Sequence, residues 1–191
     1  MEETRPPRLQ TLIRAADIQV RVSEIGRQIT KDHFPRPDRS PLHLIGVLKG
    51  ASVFLSDLAR SIAGPVTLDF LDVKSYGRAA TSSGAVEITR DIEQDIRNLD
   101  VLLVEDIVDT GRTIARLRSL LCERGPRSLR VAALLDKPER RIQQVELNYV
   151  GFQIPDKFVV GYGLDYAERY RDLPDICTLE GYEEEEVGRD A

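Results

Sequence analysis

The chain has 191 residues, 41% hydrophobic and 31% charged, enough apolar material for one packed domain and too much for a wholly disordered chain. Lys and Arg total 27 against 32 Asp and Glu; the net charge of -5 does not suit a general nucleic-acid binder, which needs a positive field. Two cysteines, Cys122 and Cys177, and two histidines, His33 and His43, exclude a disulfide scaffold and offer no zinc-ligand spacing.

Residues 1–10 are polar, contain Pro6-Pro7 and read as a loose end. Met1-Glu2-Glu3-Thr4 lacks a basic start followed by an apolar run, so no secretory signal is expected. No apolar run approaches the ~20 residues that cross a bilayer, and the expectation is a cytosolic protein. From Leu12 to Phe34 the spacing of Ile18, Val22, Ile25 and Ile29 predicts a helix with one apolar face. The prolines at 35, 37 and 41 end it. Leu42 to Leu48 reads as a strand buried on both faces, and Ala51 to Ala63 as a helix stopped by Gly64-Pro65. Val66 to Val73 and Val101 to Val104 are further strands, followed by a helix from Thr113 to Arg124. Leu129 to Leu135 is a fourth strand and Phe158 to Val160 a fifth. Cys122 and Cys177 both read as small buried residues. The run Glu183 to Glu186 reads as a solvated tail.

Alternating strands and helices argue for an α/β fold with a mainly parallel sheet covered on both faces. Such sheets bind ligands beyond the C-terminal ends of their strands, at a switch in strand order. The residues after Leu48, Val104, Leu135 and Val160 are therefore where a site is expected. The stretch Gly77 to Glu87, poor in apolar residues, reads either as a plain surface loop or as a cover over a site.

The most informative stretch is Val101-Leu102-Leu103-Val104-Glu105-Asp106-Ile107-Val108-Asp109-Thr110-Gly111-Arg112-Thr113. A buried strand runs into two adjacent acids, then a third, then a hydroxyl-rich turn that opens a helix. Free N–H groups at that helix start, with the Thr110 and Thr113 hydroxyls, suit a phosphate dianion, and Gly111 permits close backbone approach. Glu105 and Asp106 suit sugar hydroxyls or a hydrated magnesium. A Walker loop is absent. The bland alternative is a helix N-capped by Asp109 after a buried strand.

This stretch resembles the phosphoribosyl-diphosphate motif of the type I phosphoribosyltransferases. Gly46-Val47-Leu48-Lys49-Gly50, Lys74-Ser75-Tyr76-Gly77, Leu134-Leu135-Asp136-Lys137-Pro138, Ile154 to Tyr166 and Arg169 to Pro174 resemble the hypoxanthine (hypoxanthine-guanine) branch, in the same order. The resemblance implies a type I phosphoribosyltransferase fold over one domain, 1–191: a twisted, mainly parallel sheet flanked by helices, a small hood built from the terminal segments, a mobile active-site loop at 75–85 and an acidic tail at 182–191. It implies a Mg2+-dependent reaction of a purine base with phosphoribosyl diphosphate, giving nucleotide and pyrophosphate in purine salvage, with no nucleic-acid or membrane partner and a homodimer or homotetramer as the assembly.

The same resemblance assigns the site residues. Asp109, Thr110, Gly111, Arg112 and Thr113 hold the 5′-phosphate, with Asp109 also taking or sharing the proton of purine N7. Glu105 and Asp106 serve the ribose hydroxyls and a magnesium ion, and Asp165 a second magnesium. Lys49, Gly50, Ser75, Tyr76 and Arg171 face pyrophosphate, and a non-proline cis peptide can occur at Leu48–Lys49. For Arg171 the bland alternative is an ion pair with Asp172 or Glu168. Lys137 donates to a 6-oxo group, Phe158 stacks on the purine, and carbonyls near Val159 and Asp165 accept a 2-amino group. Apart from the resemblance, the run Phe158-Val159-Val160 reads as buried strand and Phe158 as ordinary core. Two alternatives stand beside this. One is a nucleotide-binding regulator on the same fold, against which the net charge counts. The other is the same enzyme with another base: adenine is disfavoured, because its 6-amino donor would face the Lys137 donor, while xanthine stays open.

Overall fold

The computed structural model describes residues 8–34, 40–75 and 86–181. In chain order the elements are β1 (Arg8–Ile13), α1 (Ala15–His33), β2 (Leu42–Leu48), α2 (Ser52–Ser61), β3 (Val66–Ser75), β4 (Val86–Arg90), β5 (Asp100–Val108), α3 (Arg112–Cys122), β6 (Ser128–Asp136), a 3-10 turn (Pro138–Arg140), β7 (Tyr149–Gln153), β8 (Val159–Val160) and β9 (Ile176–Glu180).

Six strands form one sheet in the order β4-β3-β2-β5-β6-β7. All neighbours run parallel except the edge strand β4. The order reverses between β2 and β5, which makes the crevice beyond Leu48 and Glu105 the switch point of the sheet. Successive residues of the central strands feed opposite cores. Leu44, Leu102 and Leu134 pack with Ile18, Ile25, Phe54 and Leu58 from α1 and α2. Ile45, Leu103 and Ala133 pack with Ile114, Leu117 and Leu121 from α3. Strands buried on both faces therefore need apolar residues on both, as Val101–Val104 has throughout and Leu42–Leu48 at every position but His43.

A second, three-stranded antiparallel sheet, β1-β9-β8, forms the hood expected from the terminal segments. It changes two readings of the sequence. Residues 8–13 are neither loose nor the start of a helix: they pair with β9, and α1 begins only at Ala15. The carboxylate of Asp175 accepts the Ala15 N–H at 2.8 Å, so the helix is capped from the far end of the chain. The expected fifth strand also moves. Val159–Val160 lies in the hood, and the outermost parallel strand is β7, whose mixed burial carries little pattern of its own. Cys177 is buried as predicted, whereas Cys122 is exposed, because Leu121 and Leu117 take the inner face of α3. No helix among the described residues is long and apolar enough to cross a membrane.

Candidate active site

The C-terminal ends of β2, β5 and β6 and the segment after β8 meet at the switch point. After β2 the peptide Leu48–Lys49 is cis. Gly50 then passes so close to Asp106 that a Cβ on it would fall 1.7 Å from a carboxylate oxygen, so any larger residue would have to displace the Asp106 carboxylate. Glu105 is buried and Asp106 half-buried at the end of β5. Burial pushes both carboxyls up, Glu105 well above its ordinary value with the adjacent Asp106 charge adding to it, and Asp106 to about 6. The Ile107 N–H donates to Asp106 Oδ1 at 2.8 Å, while Glu105 Oε2 is buried with no hydrogen-bond partner among the described residues. An orphaned acceptor beside a second desolvated acid fits a cation or a sugar hydroxyl. Among the described residues no three His, Cys, Asp or Glu side chains converge as a metal cage. Magnesium seldom needs one, since water and substrate phosphate oxygens complete its shell.

On the opposite bank lies the 161–171 segment. The Tyr162 hydroxyl donates to Asp57 on α2 at 2.6 Å and pins the segment there, and burial drives that phenol's pKa upward. Arg171 donates to the Gly163 carbonyl at 2.9 Å, and pairs with Asp165 at 2.9 Å and Glu168 at 3.2 Å. Lys49 reaches the same Glu168 oxygen at 2.9 Å. Glu168, exposed and held at φ +61°, thus joins two cations from different elements. Those two cations hold its carboxyl below the usual range, Lys49 first. Both oxygens of Asp165 are engaged within this segment, one by Arg171 and one by the Glu168 N–H at 2.9 Å. The Glu168 partner weighed for Arg171 is therefore present, and Asp172 is replaced by Asp165.

The turn at 109–113 departs from the capped-helix alternative. The N-cap of α3 is Gly111 at φ +83°, not Asp109, and no side chain caps the helix. A left-handed N-cap favours glycine, and a Cβ there would also lie 2.3 Å from the Gln143 carbonyl. Thr110 Oγ1 accepts the Arg112 N–H at 3.5 Å, Thr113 is half-buried in the first turn and Arg112 is exposed. Asp109 lies 2.9 Å from Arg140 Nε. Asp156 gathers Arg140 at 3.3 Å and Lys137 at 3.7 Å. Lys137 is buried beside these groups; burial lowers its pKa, and the Asp109 charge opposes that shift most.

The remaining assigned residues are more scattered. Phe158 is half-buried, packed edge-to-face on Tyr166 with ring centroids 5.9 Å apart, and Val159 is buried in the hood. Ser75 is the last residue of β3, and Tyr76 and the rest of the 75–85 loop lie outside the described residues. The acidic tail at 182–191 lies outside them too. The sequence reading gave no role to Asp136, Arg140, Arg141 or Asp156, and named Glu168 only as an ion-pair partner of Arg171. The Arg140-Arg141 doublet just past Lys137 was the available signal.

A family model, the phosphoribosyl transferase domain, matches residues 17–167. The chain belongs to the phosphoribosyl transferase family. This phosphoribosyl transferase is 51% identical over 171 residues to a hypoxanthine-guanine phosphoribosyltransferase of Mycobacterium tuberculosis, covering 88% of this chain and 85% of that one. It is 45% identical over 166 residues to the hypoxanthine phosphoribosyltransferase of Salmonella typhimurium, covering 87% of this chain and 92% of that one. A crystal structure of a hypoxanthine phosphoribosyltransferase from Staphylococcus aureus matches it with a TM-score of 0.84 at 46% identity, covering 90% of this chain and 91% of that one.

Proposed function

We propose that this phosphoribosyl transferase is a purine-salvage enzyme that joins hypoxanthine, and guanine, to phosphoribosyl diphosphate, giving IMP or GMP and pyrophosphate. The observation that carries the reading is the meeting of an uncapped helix start at 111–113 with buried Lys137 and Asp109 on one crevice. The names of relatives at 45–51% identity support the same reaction.

The transfer passes through an oxocarbenium-like centre at ribose C1, so the site must hold two anions and move one proton. The free N–H groups of α3, with Thr110, Thr113 and Arg112, grip the 5′-phosphate. Glu105 and Asp106 accept from the ribose hydroxyls. Asp109 takes or shares the N7 proton as the glycosidic bond forms, with Arg140 Nε 2.9 Å from its carboxylate. Lys49 and Arg171 neutralise pyrophosphate by exchanging the Glu168 and Asp165 carboxylates for phosphate oxygens. Bound magnesium, for which Glu105 and Asp106 are the fitting pair and Asp165 the contact of a second ion, would supply further charge neutralisation to the leaving group.

Lys137 donates to the 6-oxo group, Phe158 offers a stacking ring, and carbonyls near Val159 and Asp165 receive a 2-amino group. Adenine presents a donor to the Lys137 donor and is rejected. Gly50, Ser75 and Tyr76 complete the pyrophosphate side. We infer a homodimer or homotetramer, which analytical ultracentrifugation checks.

The test is a steady-state assay with phosphoribosyl diphosphate and magnesium, offering hypoxanthine, guanine, xanthine and adenine separately. Nucleotide from hypoxanthine or guanine is expected. Binding of phosphoribosyl diphosphate without turnover on any base would mean a regulator that keeps the fold and lacks the chemistry. Within the active enzyme, Asp109→Asn lowers kcat about 100-fold or more, and Lys137→Ala narrows the rate ratio between 6-oxo and 6-amino purines. An unchanged ratio removes Lys137 from base selection.

A further inference from the structure

Arg141 carries none of the roles assigned above, yet its side chain is only 9% exposed and pairs with the equally buried Asp136 at the end of β6. Its guanidinium also donates to backbone, from Nε to the Asp109 carbonyl at 3.2 Å and from Nη2 to the Val108 carbonyl at 3.4 Å. The Val108 carbonyl accepts the Lys137 N–H as well, at 2.9 Å. The next two residues continue the pattern: the Ile142 and Gln143 N–H groups both donate to the Thr110 carbonyl at 3.0 Å. A Cβ on Gly111 would sit 2.9 Å from Arg141 Cδ, so the tether also packs flat against the turn. Three consecutive carbonyls, Val108 to Thr110, are thus held by Arg141 and the two residues after it.

A buried ion pair is near break-even against apolar packing, so stability alone does not account for placing a guanidinium here. Reaching a carboxylate and two carbonyls at once needs the rigid planar fork of arginine, which lysine lacks. What the fork joins is specific. On one side is the turn that bears Asp109; on the other is the strand end that bears Lys137.

We infer that Arg141 is a positioning residue for phosphoribosyl transfer: anchored on Asp136, it locks the Asp109 turn to the Lys137 strand end, so that proton acceptor and base-selecting cation face the purine as one rigid unit. The inference rests on the role proposed for Asp109 above and adds to it.

The test compares wild type, Arg141→Lys, Asp109→Asn and the double variant, with melting temperature and kcat and KM for both substrates. Arg141→Lys is expected to stay folded, to lower kcat about 10–100-fold as a slightly misplaced acceptor would, and to change KM for phosphoribosyl diphosphate less than about threefold. In the Asp109→Asn background the same substitution is expected to change kcat less than about twofold, because no carboxylate is left to aim. If Arg141→Lys fails to fold, Asp136→Asn releases the tether from its other end and the same pattern is expected. Equal fold-losses in both backgrounds, or a folded Arg141→Lys enzyme with kcat within twofold of wild type, would overturn the inference and leave Arg141 a structural residue. Wild-type kcat in Asp109→Asn alone would instead overturn the functional reading beneath it.

Discussion

Two pairs of acids face each other across the crevice in opposite electrostatic states. Glu105 and Asp106 sit at the end of β5 with their carboxyls pushed upward by burial. Asp165 and Glu168, on the far bank, are neutralised by Arg171 and Lys49, and the Glu168 carboxyl is held low. The difference lies in local supply of positive charge, since all four are ordinary carboxylates. A desolvated pair with no ion-pair partner among the described residues, and with only the more distant Arg171 charge opposing the shift on Asp106, has a use for an incoming cation or hydroxyl donor. A pair already matched to cations can act as a placeholder, exchanged when a stronger anion arrives.

The contrast breaks most visibly on the β5 side. Glu105→Gln with Asp106→Asn is expected to lower kcat/KM about 100-fold or more, by removing groups that act on the ribose. The same double variant, free of metal, is expected to melt about 2–4 °C higher, the equivalent of about 1 kcal/mol, because two desolvated charges are gone. Calorimetric melting beside the kinetic assay checks both; a fall in melting temperature would mean the pair already has a counter-charge.

Asp69 sharpens the point, being buried like Glu105 yet fully served. Burial raises its pKa, but the N–H groups of Gln94, Phe70 and Glu93 together outweigh that and lower it from 3.8, with His43 adding a little. With the folded value depressed, the stability it contributes is present above about pH 4 and lost as pH falls through the folded value. Asp69→Asn puts an amide donor where donors already converge. It is expected to cost about 1–3 kcal/mol at neutral pH and to flatten the acid limb of stability, as read by urea unfolding at several pH values. An unchanged acid limb would mean that Asp69 is not what the acid protonates.

The smallest effect belongs to the exposed bank. Glu168→Gln is expected to tighten binding of magnesium pyrophosphate about 2–5-fold, since a surface ion pair competes only weakly. Titration calorimetry reads it. Weaker binding in the variant would make Glu168 a support for Lys49 and Arg171 rather than a placeholder.

Much of the architecture is visible in local pattern. The four-residue rhythm of Ile18, Val22, Ile25 and Ile29 marks the buried face of α1, and the apolar run Leu42–Leu48 matches β2. Parallel strands bury both faces, so their ends stand out as the place where acids, lysine and glycine begin; Lys49, Glu105, Asp109 and Lys137 lie just there, while the roles of the two lysines came from the family resemblance. The hood strand Arg8–Ile13 has no such rhythm, and exists because residues 176–180 lie beside it. A strand of five or six residues is made by its partner, and a partner more than 160 positions away leaves no mark on the local sequence. The same holds at the site. Gly111 rather than Asp109 caps α3, Glu168 joins Lys49 to Arg171, and Arg141 reaches back to the turn that carries Asp109. The sequence alone determined the helix faces, the core strands and the acidic turn, because these depend on neighbours a few residues apart. The pairing of charges and the tethering of the turn were decided by tertiary structure, because burial and counter-charge come from segments that meet only when the chain has folded.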